Sequence, residues 1–341
     1  MKRFLDLADL SDERFDAVLS RARDLERHPR NQSLSNRIVG LIFANPSLRT
    51  LASMQTGIMQ LGGAFFLIQP GTGSWKLETR PGAIMDGEAA EHVREAIPVL
   101  SQYADALCVR CFAEGKNLAD DLADSVMKTM ADLCPKPFIN LESAIAHPCQ
   151  ALADWKTLND IQVPSAGGRL VLSWAYHPKP LAYAVPASVL SMAARRGMQV
   201  TVLRPEGYSL PPEIMTRARG LAAQSGGKIE ETSDRREAMA GAHVLYAKSW
   251  AAPAFYGQNA EEAALRKNYR DWCVAESWFE TAAPEAKFMH CLPVRRNVKV
   301  ADEVLDGPRS LVLRQAANRL HVQKALLMEM LEGGTDQSLC K

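Results

Sequence analysis

The 341 residues are enough for two domains. Their composition, 47% hydrophobic and 23% charged with a formal net charge of +1, is that of a soluble globular chain and gives no reason to expect nucleic acid or an anionic membrane as partner. No apolar run approaches the roughly 20 residues that span a bilayer, and the start Met1-Lys2-Arg3-Phe4-Leu5-Asp6 has an acid too early and an apolar run too short for a signal peptide.

Taken in chain order, Ser11 caps a first helix in which Phe15, Val18, Leu19, Ala22 and Leu25 recur at helical spacing, and Pro29 closes it. Apolar, β-rich runs then alternate with helical patterns. Strands are expected at Ile38–Ala44, Ala64–Ile68, Ala106–Arg110 and Pro137–Leu141, with helices at Leu51–Leu61, Glu88–Tyr103 and Ala119–Leu133. The turn-rich stretch Gln162 to Gly168 opens a second series, with strands at Arg169–Trp174, Gln199–Leu203, Lys228–Glu231, His243–Lys248 and Lys287–Cys291. The pattern predicts two doubly wound α/β domains with parallel sheets, residues 1–150 and 151–315, and a hinge near 145–165. A last helical pattern, Ala316 to Leu331, is expected to pack back on the first domain, and the tail Gly333 to Ser338 is expected to be mobile. In such folds ligands sit beyond the carboxyl ends of the strands, here the cleft between the domains.

The polar residues that follow the strands are of one kind. Phe43 to Thr50 reads as a strand end, a turn and a helix start, with Pro46 in the first helical turn. Ser47, Arg49 and Thr50 then stand among unpaired backbone N–H groups, a cradle for phosphate. No Lys completes a G-x-x-x-x-G-K-[ST] loop, so this is not the nucleotide P-loop, and no G-x-G-x-x-G follows a strand as a nicotinamide enzyme requires. Arg110 ends a strand. His147-Pro148-Cys149-Gln150 follows Glu142 and offers donors to an oxygen that becomes negative during attack. Further clusters are Trp174 to Leu181, Lys248-Ser249-Trp250, His290 to Lys299, and Asn318-Arg319 at the start of the last helix. Each alone reads equally as a capped or solvated loop. Together on one strand-end rim they fit an anionic substrate.

The seven cysteines have no C-x-x-C spacing, and those in apolar segments, such as Cys108, Cys273 and Cys291, read as reduced thiols of a cytoplasmic protein. The seven histidines pair with no Cys or acid at a ligand spacing, so neither metal nor cofactor is expected.

Three motifs in order resemble the transcarbamylase family: Ser47-Leu48-Arg49-Thr50, His147 to Gln150, and His290 to Pro293. The resemblance covers nearly the whole chain. It implies that Ser47, Leu48, Arg49, Thr50 and Arg110 hold the phosphate of carbamoyl phosphate, that His147 and Gln150 polarise and orient the carbamoyl group, and that Arg319 with Cys291 and Leu292 completes that site. The ornithine branch carries an S-M-G loop that is missing here. His177 to Leu181, Tyr246 to Trp250 and Arg295 to Lys299 instead resemble the branch acting on N-acetylornithine. Glu142, His177, Lys248, Leu292 and Arg295 would then contact the acylated ornithine, Cys291 would touch the attacking amine without acting as a nucleophile, and Lys299 matches a lysine carboxylated in that branch. Trp75 resembles a residue that reaches a neighbouring subunit's site, which implies a homotrimer with shared sites. Glu91 matches a position where a carboxylate excludes a succinyl group, so the acetyl compound is expected. The implied reaction gives N-acetylcitrulline and phosphate, a step toward arginine. The alternatives are an N-succinylornithine enzyme and a non-catalytic phosphate-binding relative.

Overall fold

The computed structural model describes residues 2–332; the tail Gly333 to Ser338 lies outside them. Its strands are β1 (Arg3–Phe4), β2 (Ile38–Phe43), β3 (Ala64–Ile68), β4 (Lys76–Glu78), β5 (Ala89–His92), β6 (Ala106–Arg110), β7 (Phe138–Glu142), β8 (Arg169–Trp174), β9 (Gln199–Leu203), β10 (Lys228–Thr232), β11 (Val244–Lys248) and β12 (Lys287–Met289). The helices are α1 (Asp12–Arg27), α2 (Leu48–Gln60), α3 (Val93–Gln102), α4 (Leu118–Ala123), α5 (Ser125–Leu133), α6 (Pro148–Asp160), α7 (Ala184–Arg195), α8 (Pro212–Ser225), α9 (Arg235–Met239), α10 (Asn259–Arg266), α11 (Asp302–Asp306) and α12 (Val312–Glu332). Two five-stranded sheets run in the orders β1-β7-β6-β2-β3 and β10-β9-β8-β11-β12, and every pairing within them is parallel.

Both sheets are covered by helices, which is why their central strands are continuous apolar runs. All five residues of β6 are buried, and β2 is buried except at Ile38. Burying a side chain such as Leu107 or Val109 contributes about 1.5–3 kcal/mol. The first sheet changes winding direction between β2 and β6, the second between β8 and β11. Those switch points open the crevices where the site residues stand.

Several expectations are corrected. The helix expected over Glu88–Tyr103 begins as β5, paired in parallel with β4; the His92 side chain then accepts the N–H of Arg94 and starts α3. The helix expected over Ala119–Leu133 is broken at Asp124, which takes a left-handed conformation (φ 52°) while its carboxylate accepts from Ser143 Oγ at 2.7 Å. Helix α2 starts at Leu48 with Ser47 as its cap, so Pro46 precedes the helix. The strand expected to reach Cys291 stops at Met289, because the His290 N–H donates to the Gln315 side chain at 3.0 Å. The last helix begins at Val312, which places Asn318 and Arg319 inside it.

Helix α6 runs unbroken across 150/151 from one sheet's layer toward the other. Helix α12 packs on α1, α2 and α6. Its buried Lys324 donates to Pro29 O and Gln60 Oε1, both at 2.8 Å, so the cation ties three elements without a carboxylate. Across the cleft, Tyr256 Oη donates to Asp121 Oδ2 at 2.7 Å. Beside it Gly257 has φ +82°, and a Cβ there would stand 2.3 Å from the Lys116 carbonyl oxygen. Only glycine allows this approach. Gly257→Ala is therefore expected to destabilise the protein by at least about 1 kcal/mol in urea unfolding. Unchanged stability would show that the 116–257 approach is not constrained.

Candidate active site

Between the two sheets lies a cavity of about 1050 Å³. Into it project Ser47 to Thr50 from the start of α2, Arg110 and Glu142 from the ends of β6 and β7, and His147 from the start of α6. The opposite wall brings His177 from the loop after β8, Lys248 from the end of β11, Cys291 and Leu292 after β12, and Lys299. Arg319 comes from α12.

Local chemistry fixes these positions. Ser47 Oγ accepts the Thr50 N–H at 3.2 Å, using one of the free amides of the α2 N-terminus. Arg319 donates to Thr50 Oγ1 at 3.0 Å and to Gln150 Oε1 at 2.8 Å, and lies 3.5 Å from His147 Nε2. Arg110 is bonded to Glu142, and His147 Nε2 stands 3.1 Å from the same carboxylate oxygen. His147 does not cap α6 with its side chain; its backbone N–H is instead held by Ser188 Oγ at 2.7 Å. Lys248 Nζ is 3.5 Å from Cys291 Sγ. Leu292, at φ 53°, donates its N–H to His290 Nδ1 at 2.9 Å.

Six cations line the cavity, Arg49, Arg110, Lys179, Lys248, Lys299 and Arg319, against two carboxylates, Glu114 and Glu142. Burial, joined by this imbalance, lowers the pKa of several basic groups here. Burial first of all lowers the pKa of Arg49 and Arg319. Lys299, almost completely buried, is pushed well below the usual lysine range by burial and then by Lys248, and no carboxylate lies within ion-pair distance of it among the described residues. Burial, then Arg319 and Arg110, hold His147 neutral. His290 is held neutral by burial and Lys299. His177 is lowered to about 4, by burial before all else. Its Nε2 accepts from Arg295 Nε at 3.1 Å, so Nδ1 carries the proton given to Lys179 O at 2.8 Å.

Not every expected site residue lines the cavity. Gln150 is buried behind it, its amide committed to Arg319 and Asp154. Arg295 reaches the site through His177. Trp75, just before β4, and Glu91, on β5, are bonded to each other at 2.9 Å and lie outside the cavity. Sequence reasoning missed Asp154, whose one signal is its place four residues after Gln150 on one helix face. It also missed Arg266, which is buried and bonded to Glu262. Arg266 donates to Ser249 Oγ at 2.9 Å, Trp250 O at 2.9 Å and His177 O at 3.3 Å, bracing the loops of the second wall. The six described cysteines are free thiols.

The neutral histidines fix a pH dependence. The unfolded chain's histidines titrate near ~6.5. Above that pH these histidines are neutral in both states and their contribution to stability is complete. As pH falls from there toward 4, the unfolded chain takes up protons that folded His147, His177, His290 and His321 refuse, so stability is lost. Asp154, raised to about 6 by burial, and Asp124 act in the opposite sense but are fewer. The melting temperature is expected to fall between about pH 7 and pH 5. A flat or rising profile would contradict the buried neutral state.

Comparison with known proteins gives two family matches. The aspartate/ornithine carbamoyltransferase carbamoyl-P binding domain matches residues 2–160, and the Asp/Orn binding domain of that family matches 183–330. The N-acetylornithine carbamoyltransferase of Xanthomonas campestris pv. campestris is 40% identical over 334 residues, 97% of this chain and 98% of its own. The N-succinylornithine carbamoyltransferase of Bacteroides thetaiotaomicron is 35% identical, covering 98% of this chain and 99% of its own. A crystal structure of acetylornithine transcarbamylase complexed with acetylcitrulline matches with a TM-score of 0.93 at 40% identity, over 97% of this chain and 99% of that one.

Proposed function

This chain belongs to the aspartate/ornithine carbamoyltransferase family, and from that premise we propose that it transfers the carbamoyl group of carbamoyl phosphate to the δ-amino group of N-acetyl-L-ornithine, giving N-acetyl-L-citrulline and phosphate. The observation that carries the reading is one cleft in which the Ser47–Thr50 helix start, Arg110, His147 and Arg319 face Lys248 and Cys291–Leu292.

The chemistry follows from charge. Phosphate is a good leaving group, so no covalent intermediate on the enzyme is needed. Arg49 and Arg110, with Ser47, Leu48 and Thr50 at the α2 N-terminus, take the phosphate. His147 and Arg319 donate to the carbonyl oxygen as it becomes negative. The δ-nitrogen lone pair attacks the carbamoyl carbon, the C–N bond forms, and the C–O bond to phosphate breaks with its electron pair leaving on phosphate, which accepts the amine proton. An alkyl ammonium has a pKa near ~10, and a cation-rich wall lowers it toward the reactive amine. His177, Lys248, Leu292, Arg295 and Glu142 surround the acylated ornithine, and Cys291 is a contact. Positioning and electrostatics supply most of the rate.

Trp75 and Glu91 serve a neighbouring copy's cleft in a homotrimer. In support, Trp75, Ile84 and Met85 are 59%, 82% and 42% exposed on and beside the β4–β5 ribbon, large apolar surface for a lone chain. A monomer in sedimentation would remove this part. The free thiols agree with a cytoplasmic enzyme, and the product fits arginine biosynthesis.

The buried Lys299 amine, its pKa lowered by burial and then by Lys248, is set to add CO2 in its free-base form, lose a proton and become a carbamate anion among Lys248, Arg266 and Arg295. A native mass spectrum in bicarbonate is expected to show one added CO2, absent from Lys299→Arg. Identical masses for the two proteins beyond the substitution would remove this modification.

Turnover with N-acetylornithine, N-succinylornithine and ornithine compared side by side tests the assignment. Preference for the acetyl compound by at least about tenfold is expected, since a carboxylate at Glu91 repels a succinyl group. Preference for the succinyl compound would overturn the reading of Glu91, and no turnover at all would favour a non-catalytic relative.

A further inference from the structure

Behind the cavity wall lies a buried polar cluster that touches no substrate-lining surface of its own. Asp154 is completely buried on α6 and has no ion-pair partner among the described residues. Its Oδ1 accepts two amide donors at once, Gln150 Nε2 at 2.8 Å and Gln315 Nε2 at 2.6 Å. An amide whose NH2 is committed in this way presents only its oxygen at the other end. The oxygen of Gln150 receives Arg319, which also holds Thr50 and stands 3.5 Å from His147. The oxygen of Gln315 receives the His290 N–H at 3.0 Å, and His290 Nδ1 in turn receives the N–H of Leu292. Turning either amide over would set its NH2 against a guanidinium or a backbone N–H in a buried site, leaving donors facing donors.

We infer that Asp154 is a positioning residue: its carboxylate fixes both glutamine amides and thereby couples the His147–Arg319 side of the cleft to the Cys291–Leu292 side. The inference rests on the carbamoyl-transfer reading for its kinetic consequence but not for its geometry. Packing alone would be served by leucine. A carboxyl group raised to about 6 by its burial is a costly occupant unless its acceptor is used.

Asp154→Asn keeps an acceptor oxygen of the same shape, and Asp154→Ala removes it. Relative to wild type, Asp154→Ala is expected to lower kcat about 10- to 100-fold with a smaller change in KM, the range set by a hydrogen bond to a charged group. Asp154→Asn is expected to recover most of that loss. Gln315→Met, which leaves the Gln150 bond in place, is expected to lower kcat, and its effect is expected not to add to that of Asp154→Ala, since both cut one chain. Additive effects, or an Asn variant as poor as Ala, would overturn the inference. If Asp154→Ala does not fold, the contrast between Asp154→Asn and Gln315→Met decides in the same way. A crystal structure of Gln315→Met needs no turnover: Leu292 is expected to leave its φ near 53°. An unchanged 290–292 segment would overturn the inference even if the carbamoyl-transfer reading stands, and a wild type without turnover but a displaced segment would sink only that reading.

Discussion

The structure depends on an excess of basic side chains gathered in one partly buried cleft. Arg49, Arg110, Lys248, Lys299 and Arg319 converge on one cavity, and the nearest carboxylate, Glu142, is already bonded to Arg110 and close to His147. Such an arrangement is unfavourable unless an anion completes it. The lowered pKa values of His147, Arg49, Arg319 and Lys299 follow from burial first and from the neighbouring cations second. A bound phosphate ester relieves that arrangement directly. At a concentration 100 times its Kd, such a ligand stabilises the folded chain by about 2.7 kcal/mol.

Holding these cations together takes three separate parts of the chain. The first sheet supplies Arg49 and Arg110, the second Lys248 and the 290–299 segment, and α12 supplies Arg319 after returning to pack on α1, α2 and α6. The Asp154 cluster and the Asp121–Tyr256 contact each tie two of these parts, and Arg266 braces the loops within the second. The residues that touch solvent in the cleft are thus few, and those that hold them in place are buried polar groups whose hydrogen bonds leave little freedom.

Much of this was legible in the sequence for one reason: strands of a parallel sheet buried on both faces are apolar runs, and the polar residue that ends the run stands on the rim. Hence β2, β6, β8 and β11, and with them Arg49, Arg110, His177 and Lys248, could be placed. The ribbon β4–β5 could not, because Lys76-Leu77-Glu78 and Ala89 to His92 lack that pattern and pair only with each other. The break at Asp124 was hidden because its cause, Ser143, is distant in sequence. Asp154 and Gln315 were invisible for the same reason. Their meaning lies in a bond between two helices whose bonded residues stand 161 apart in the chain.

Calorimetric titration of carbamoyl phosphate into the wild-type protein at several salt concentrations tests the central claim most directly. The account predicts saturable binding that weakens as ionic strength rises and is lost in Arg49→Ala. Absence of binding, or binding that neither salt nor Arg49→Ala alters, would contradict it.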